Sequence, residues 1–318
     1  MRLTKIEVRQ FGWSDLVKIC AAAVLLTACL PTRAVAQEKG QKTFSSAEEA
    51  SQALVKAAQD NDENAMIAII GKSAKDIISS GDEKQDAEHK ADFVRRYGEM
   101  HRLFKEPDGT TTLYIGVDNW PTPIPLVNKG KVWYFDGAAG KQEILYRRVG
   151  RNEISTIRVC EELAKAENEY FATQHVYAAK IASDLGQHNG LYWSGEPKSP
   201  IGPLVAAADT TSKGVSPTPF HGYYFRILTN QGKDASGGAK SYMVDGKMIG
   251  GFAIEAYPVE YRSSGVMTFV VGSDGVVYEK DLGKKTETEA KAIKSFDPDS
   301  SWHRAENVQE ATNTQTTK

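Results

Sequence analysis

The stretch of residues 241–283 constrains the fold most strongly, because short β-type runs alternate there with turn residues. Residues 266–271 are mostly β-branched or aromatic, and Asp274-Gly275 predicts a tight turn into a further strand at 276–278. Asp-Gly favours a type I′ turn, in which both central residues have positive φ. A third run, 252–257, precedes them. We therefore predict an antiparallel meander in the C-terminal half.

A long helical pattern from Asn152 to Ile181 is the natural packing partner of this meander. Asn152 is its predicted N-cap, and two neighbouring apolar stripes give it the broad face expected of a helix lying on a sheet. The stripes are formed by Ile154, Ile157, Cys160, Ala164 and Phe171, and by Val159, Leu163, Ala166, Tyr170 and Tyr177. The predicted fold class is α+β, with a long helix packed on an antiparallel meander.

The preceding residues predict a second, smaller α+β unit. Helical periodicity is followed by strand patterns at 110–117 and 131–136, and its third helical segment runs over 83–104. The 318 residues are enough for two domains. We predict an N-terminal unit at 37–149, a C-terminal unit at 150–303 and a disordered tail at 304–318.

Residues 1–36 have the pattern of a secretory signal peptide. Basic residues precede a short apolar run, and Ala34-Val35-Ala36 supplies a cleavage site before Gln37. A second processing route stays open, because Leu26-Thr27-Ala28-Cys29 resembles a lipobox and would make Cys29 a lipid anchor. We expect a periplasmic or secreted bacterial protein, or alternatively a lipoprotein anchored through Cys29, with no transmembrane segment in the mature chain.

Charge and residue spacing argue against several classes of chemistry. With 39 basic and 41 acidic residues the net charge is −2, so a nucleic acid is not an expected partner. The six histidines show no metal-ligand spacing, and no phosphate-binding or serine-hydrolase motif is present, so no metal, cofactor or catalytic residue is predicted. Cys160 lies in the long helical pattern and has no obvious base partner in the sequence. It is therefore interpreted as a buried structural residue.

Aromatic residues give the best prediction of a binding site. Residues 184–219 form a long, Gly- and Pro-rich irregular segment, and such segments are often functional. The segment and the strand after it supply the candidates for ligand or partner binding, which are Tyr192, Trp193, His221, Tyr223 and Tyr224. The alternative is that these rings pack as a small core of the segment itself.

Several motifs in order resemble the exported bacterial family known as domain of unknown function 2950. They are Gly150-Arg151-Asn152-Glu153, Gly190-Leu191-Tyr192-Trp193, Ser199-Pro200-Ile201-Gly202-Pro203, the run from His221 to Leu228, Gly250-Gly251-Phe252-Ala253, the run from Ser264 to Phe269, and the run from Gly275 to Gly283. The resemblance covers nearly all of the mature chain. It implies export and a shared fold, but no reaction.

A looser likeness connects the C-terminal half to the globular heads of pilins and pseudopilins. The shared features are a helix ending near Phe171 and the antiparallel sheet that follows it. Pilins begin with a very apolar assembly helix, whereas acidic residues such as Glu161 and Glu169 make this helix polar on one side. A pilin-like assembly subunit is therefore only a third interpretation of the function.

The preferred interpretation is a non-enzymatic binding or interaction module of the cell envelope. Its partner would be an unknown envelope protein or a small ligand. The alternative is an envelope hydrolase whose site is assembled from residues distant in sequence, which a single sequence does not reveal. A cleft that gathers a carboxylate, a histidine and a hydroxyl would favour the hydrolase, and an aromatic patch would favour binding.

Overall fold

The structure is a computed structural model that describes residues 37–79, 83–211 and 216–305. The predicted signal peptide, Cys29 and residues 306–318 of the predicted tail lie outside the described residues. The described chain divides into two compact units, with the boundary between Leu145 and Tyr146. The fold is α+β, as predicted, and the described residues include no helix long and apolar enough to cross a bilayer.

The N-terminal unit begins with four helices. They are α1 (Ala47–Gln59), α2 (Glu63–Ile70), α3 (Lys75–Ile78) and α4 (Glu83–Glu99). Ser46 caps α1 by accepting a hydrogen bond from the Glu49 amide, and Gly71 ends α2 with φ of 98°. The helices pack on an antiparallel sheet through a core that includes Leu54, Ile69, Ile70, Leu126 and Phe135.

The sheet of this unit has the order β1-β2-β4-β5, with β3 paired to β2. Its strands are β1 (His101–Lys105), β2 (Thr111–Ile115), β3 (Trp120–Pro121), β4 (Leu126–Lys129) and β5 (Val132–Phe135). The prediction of one helix over 83–104 is wrong at its end. The helix stops at Glu99, and His101–Lys105 pairs with β2 because strand pairing overrides the helical periodicity.

A 38-residue helix, α5 (Gly137–Gln174), runs through the boundary between the units. The prediction of a fresh N-cap at Asn152 and a helix end near Ile181 is wrong. Asn152 is an interior residue whose side-chain amide donates to the Ser264 carbonyl oxygen at 2.8 Å. The helix ends where His175 adopts φ of 58°, and the amide of His175 bonds the Phe171 carbonyl oxygen.

The C-terminal unit is built on a five-stranded antiparallel sheet of order β14-β13-β12-β11-β6. The long strands are β6 (Tyr223–Leu228), β11 (Ala253–Pro258), β12 (Met267–Gly272) and β13 (Val277–Asp281), and β14 (His303–Arg304) is short. Two small ribbons, β7 (Asn230–Gln231) with β8 (Lys240–Ser241) and β9 (Met243–Val244) with β10 (Lys247–Met248), branch from it. The meander and its central strands agree with the prediction from residues 241–283.

Elements cover both faces of this sheet. Glu153 fixes α5 to one face by accepting hydrogen bonds from the amides of Val266 and Met267 at 2.7 and 3.0 Å. The opposite face is covered by α7 (Thr286–Ala292) and the segment that follows it. A short helix, α6 (Pro203–Ala206), lies before β6. The large buried side chains of the core include Tyr223, Phe225, Phe252, Ile254 and Phe269.

Two details of the sheet differ from expectation. Asp274-Gly275 is not a type I′ turn, since only Gly275 has positive φ; the Asp245-Gly246 turn between β9 and β10 has φ of 49° and 74° and fits that type. Arg304 and Ala305, which were predicted to belong to a disordered tail, are part of the sheet. Arg304 pairs with Tyr278, and Ala305 donates to the Val277 carbonyl oxygen at 2.9 Å.

Candidate functional site

Tyr192 and Trp193 lie in one surface loop of the C-terminal unit, residues 184–198. Tyr192 is half-buried against the core, and its backbone forms a bridge with Ala182. The Trp193 indole N–H donates to the Pro197 carbonyl oxygen at 2.6 Å. The Trp193 ring stacks on that of His188 with 4.6 Å between ring centroids.

The other three predicted residues lie on a turn and on β6. His221 is exposed, has φ of 50° and packs its ring on Phe220; partial burial of the imidazole lowers its pKa. Tyr223 is fully buried and donates its hydroxyl to the Met267 carbonyl oxygen at 3.0 Å. Tyr224 points to the opposite face of the sheet and meets Tyr257. Within the described residues, no ring contact joins Tyr192 or Trp193 to these three.

Tyr223 is a core residue in this structure. Burial raises the pKa of its hydroxyl, and the nearby Glu153 carboxylate acts in the same direction. Position 265 accommodates only a glycine, because a Cβ there would lie 2.0 Å from the Tyr223 hydroxyl oxygen. The aromatic candidates are therefore divided between a core position, a sheet face, an exposed turn and a loop, and the loop is the place that holds two of them, Tyr192 and Trp193.

Internal hydrogen bonds hold the 184–198 loop in shape. Asp184 and Asn189 form a reciprocal pair, in which the Asp184 amide donates to Oδ1 of Asn189 at 3.0 Å and Nδ2 of Asn189 donates to Oδ2 of Asp184 at 2.8 Å. Ser183 accepts from the Gly190 amide at 2.9 Å, and the Tyr170 hydroxyl of α5 donates to the His188 carbonyl oxygen at 2.8 Å. Such a loop is ordered before it meets a partner.

The outer surface of this loop is apolar at its centre. Leu185, at the tip, is fully exposed, and the exposed His188 ring covers the half-buried Trp193. Charged residues of both signs, including Glu196 and Lys198, border these groups in the chain and are exposed. An apolar centre with a polar rim is the usual arrangement of a recognition surface.

Sequence reasoning missed two buried carboxyl groups in the same unit. Glu167 of α5 has no exposed surface; its Oε2 accepts from the Ala178 amide at 2.8 Å, and burial raises its pKa to about 8. Glu255 of β11 is equally buried, and burial raises its pKa to about 7 although the neighbouring Arg226 guanidinium lowers it. Neither is recognisable from the sequence, where glutamate in a helix or strand is read as a solvated residue.

The Arg226–Glu255 pair lies on the face of the sheet covered by α7. Arg226 donates through Nε to Glu255 and through Nη2 to the carbonyl oxygens of Ala290 and Ile293, both at 2.6 Å. Oε1 of Glu255 and the hydroxyl of Thr268 on the adjacent strand are buried, and neither has a hydrogen-bond partner among the residues that the structure describes. Because the Arg226–Glu255 pair is enclosed in this conformation, it gives no support to the hydrolase alternative, which stays a prediction.

Other reactive groups have structural surroundings. Cys160 is fully buried, and burial raises the pKa of its thiol, which disfavours the nucleophilic thiolate. In the ranges that the structure describes, no group of three or more His, Cys, Asp or Glu side chains is arranged to hold a metal ion.

Comparison with known proteins places the chain in a family. The family model described as Protein of unknown function (DUF2950) matches residues 41–305, so the chain belongs to that family, and the resemblance predicted from its motifs is confirmed. No curated protein and no solved structure matches the chain. The likeness to pilin heads stays a prediction.

Proposed function

We propose that this DUF2950 protein is an exported, non-enzymatic binding module of the bacterial cell envelope, and that its recognition surface is the 184–198 loop. One observation carries the proposal. The loop exposes Leu185 and the His188–Trp193 stack while its own hydrogen bonds already fix its backbone.

The physical argument concerns conformational entropy. Ordering a free loop on binding costs free energy, and a loop that is already ordered avoids most of that cost. Among the large apolar side chains of the described residues, Leu185 is the most exposed, and exposed apolar surface is unfavourable in water. Burying Leu185 and the His188 ring against a partner would remove that exposure.

The form of the loop favours a protein as the partner. Small ligands are usually bound in concave pockets, whereas Leu185 occupies a tip that can enter a groove on another protein. The adjacent charges, Asp184, Glu196 and Lys198, include both signs, so the complementary surface would be apolar with a mixed polar border. The partner would therefore be an envelope protein with an apolar groove.

The N-terminal sequence supports export. Glu38, two residues after the predicted cleavage site, accepts hydrogen bonds from the amides of Lys72 and Ser73. Gln41 donates to the carbonyl oxygens of Ile69 and Phe135 at 3.0 and 2.7 Å. These contacts fix the chain to the N-terminal unit without residues 1–36, so removal of a signal peptide would leave them in place.

Cross-linking in the producing bacterium's envelope fraction tests the recognition surface. The wild-type protein should give a discrete cross-linked species, and the double variant Leu185→Ser/His188→Ser should lose it. The matched control is Leu204→Ser/His303→Ser, which removes an exposed leucine and an exposed histidine elsewhere in the unit. Loss of the species in both variants, or in neither, would contradict the assignment of the surface.

A further inference from the structure

Glu167 has an unusual environment for a carboxyl group. It lies on α5 with no exposed surface, and its Oε2 is bound by the Ala178 amide at 2.8 Å. The second oxygen, Oε1, has no hydrogen-bond partner in the described part of the chain. A buried polar atom without a partner costs free energy. A ligand or a bound water that hydrogen-bonds to Oε1 would remove this cost.

Aromatic rings stand next to this carboxyl group. Phe171 lies one helical turn after Glu167 on the same face of α5, and Tyr177 directly precedes Ala178. The two rings stack with 4.4 Å between centroids, and Tyr177 also meets Phe252 at 5.1 Å. Both Phe171 and Tyr177 are half-buried, so they form the part of this neighbourhood that reaches the surface.

We propose that Glu167, Phe171 and Tyr177 form a binding site for an organic cation, either an alkylammonium or a guanidinium group. Aromatic faces attract such cations, and a carboxylate supplies the opposite charge at the end of the site. The cation enters when the Tyr177 side chain rotates away from Phe171. The backbone of this segment keeps its position, because the Tyr177 amide stays bound to the Met248 carbonyl oxygen at 2.7 Å.

Binding of a cation at this site should be accompanied by release of a proton. Without a ligand, Glu167 holds a proton at neutral pH; binding of the cation releases that proton to solvent and leaves an ion pair. Tyr170 is the titratable neighbour on α5, while His175 at the helix end and Lys247 on β10 are exposed groups at the border. The Glu167→Gln variant keeps all three, so the difference between it and wild type isolates Glu167.

The test measures calorimetric binding of choline, whose charge does not depend on pH, and of its uncharged isostere 3,3-dimethylbutan-1-ol. Wild type should bind choline about tenfold more tightly than the isostere and about tenfold more tightly at pH ~8 than at pH ~6.5. Glu167→Gln should lose both preferences. A matched change on the exposed side of the same helix, Glu169→Gln, should leave them intact.

A second arm uses a blocked Gly-Arg-Gly peptide, which distinguishes a small-molecule cation from a cationic side chain of a protein partner. Preference for choline would identify a small-molecule site, and preference for the peptide would identify a side-chain site. Equal binding of choline and its isostere by wild type, or no binding of any cationic probe, would overturn the proposal. These wild-type comparisons decide the question even if Glu167→Gln fails to fold.

Discussion

The two buried glutamates of the C-terminal unit show how the same side chain is accommodated in two ways. Glu255 faces Arg226, whose guanidinium also binds the carbonyl oxygens of Ala290 in α7 and of Ile293 just after it. Glu167 accepts a hydrogen bond from a backbone amide, and within the described residues it forms no ion pair with a basic side chain. Burial raises both pKa values, to about 7 and about 8 respectively. The difference is that Glu255 has a permanent counter-charge and Glu167 does not.

This difference assigns separate tasks to the two groups. The Arg226–Glu255 pair connects β6, β11 and α7, so it fixes the second layer of the unit. Glu167 connects α5 only to the segment that begins after its end. Removing one charge of a buried pair leaves the other uncompensated, whereas neutralising an unpaired carboxyl removes a penalty. The two sites should therefore respond oppositely to loss of charge.

The largest effect is expected for Glu255→Leu. It leaves Arg226 buried without its carboxylate, and loss of about 3–5 kcal/mol in the free energy of unfolding should follow. Urea denaturation of the full chain measures it. The double variant Arg226→Met/Glu255→Leu should recover much of the loss, because no unpaired charge remains. A cost below about 1 kcal/mol for the single change would show that the pair is not structurally important.

For Glu167 the expected effect appears as a pH dependence. Its folded-state pKa of about 8 lies above 4.5, the ordinary value of a glutamate, so the folded protein binds this proton more tightly than the unfolded chain. Its contribution is fully present at pH values below about 4.5 and is lost as pH rises through about 8, at up to about 1.4 kcal/mol per pH unit. In Glu167→Gln this contribution to the slope should be lost while that of Glu255 remains, and in Glu169→Gln both should persist. Parallel slopes in all three proteins would contradict the assignment.

Gly265→Ala should cost about 1–3 kcal/mol, since the new methyl group would overlap the Tyr223 hydroxyl above the helix face of the sheet. The control is Gly150→Ala in α5, where a Cβ meets nothing within 4 Å and the higher helix propensity of alanine should stabilise the protein slightly. Thermal denaturation of both variants measures the difference. Equal midpoints would mean that Tyr223 is not held as described.

The smallest effect on stability is expected for Asp184→Ala. The side chain is largely exposed, so the denaturation midpoint should hardly change. Loss of the hydrogen bond that Nδ2 of Asn189 donates to the Asp184 carboxylate should instead loosen the loop, with faster amide hydrogen exchange at residues 184–190. Unchanged exchange would show that other contacts hold the loop, and would weaken the argument that it is ordered in advance.

The regular elements were the predictable part of this fold. Residues 266–271 carry enough β-branched and aromatic side chains to identify β12 as a strand, and the two apolar stripes after Asn152 identify the helix that covers the sheet. The failure at His101–Lys105 has a physical cause. Its helical spacing is real, but pairing with β2 supplies the hydrogen bonds that decide the conformation.

The sites were less predictable, because they depend on contacts between residues far apart in the chain. Arg226 and Glu255 meet only through the register of β6 and β11, and Glu167 is buried only because the chain turns back after His175. Tyr223 and Tyr224 are neighbours in sequence, yet the alternation of a strand sends them to opposite faces. In contrast, Tyr192 and Trp193 belong to one loop, which local sequence indicated correctly as irregular.

Native mass spectrometry of the protein isolated from the producing bacterium's envelope fraction tests the proposed function most directly. Wild type should begin at Gln37 and carry a bound protein, and Leu185→Ser/His188→Ser should have the same N-terminus without that protein. A lipidated mass beginning at Cys29 would show that the protein is a lipid-anchored lipoprotein and not a soluble exported protein. A bare monomer for wild type, or a bound protein retained by the double variant, would contradict recognition through the 184–198 loop.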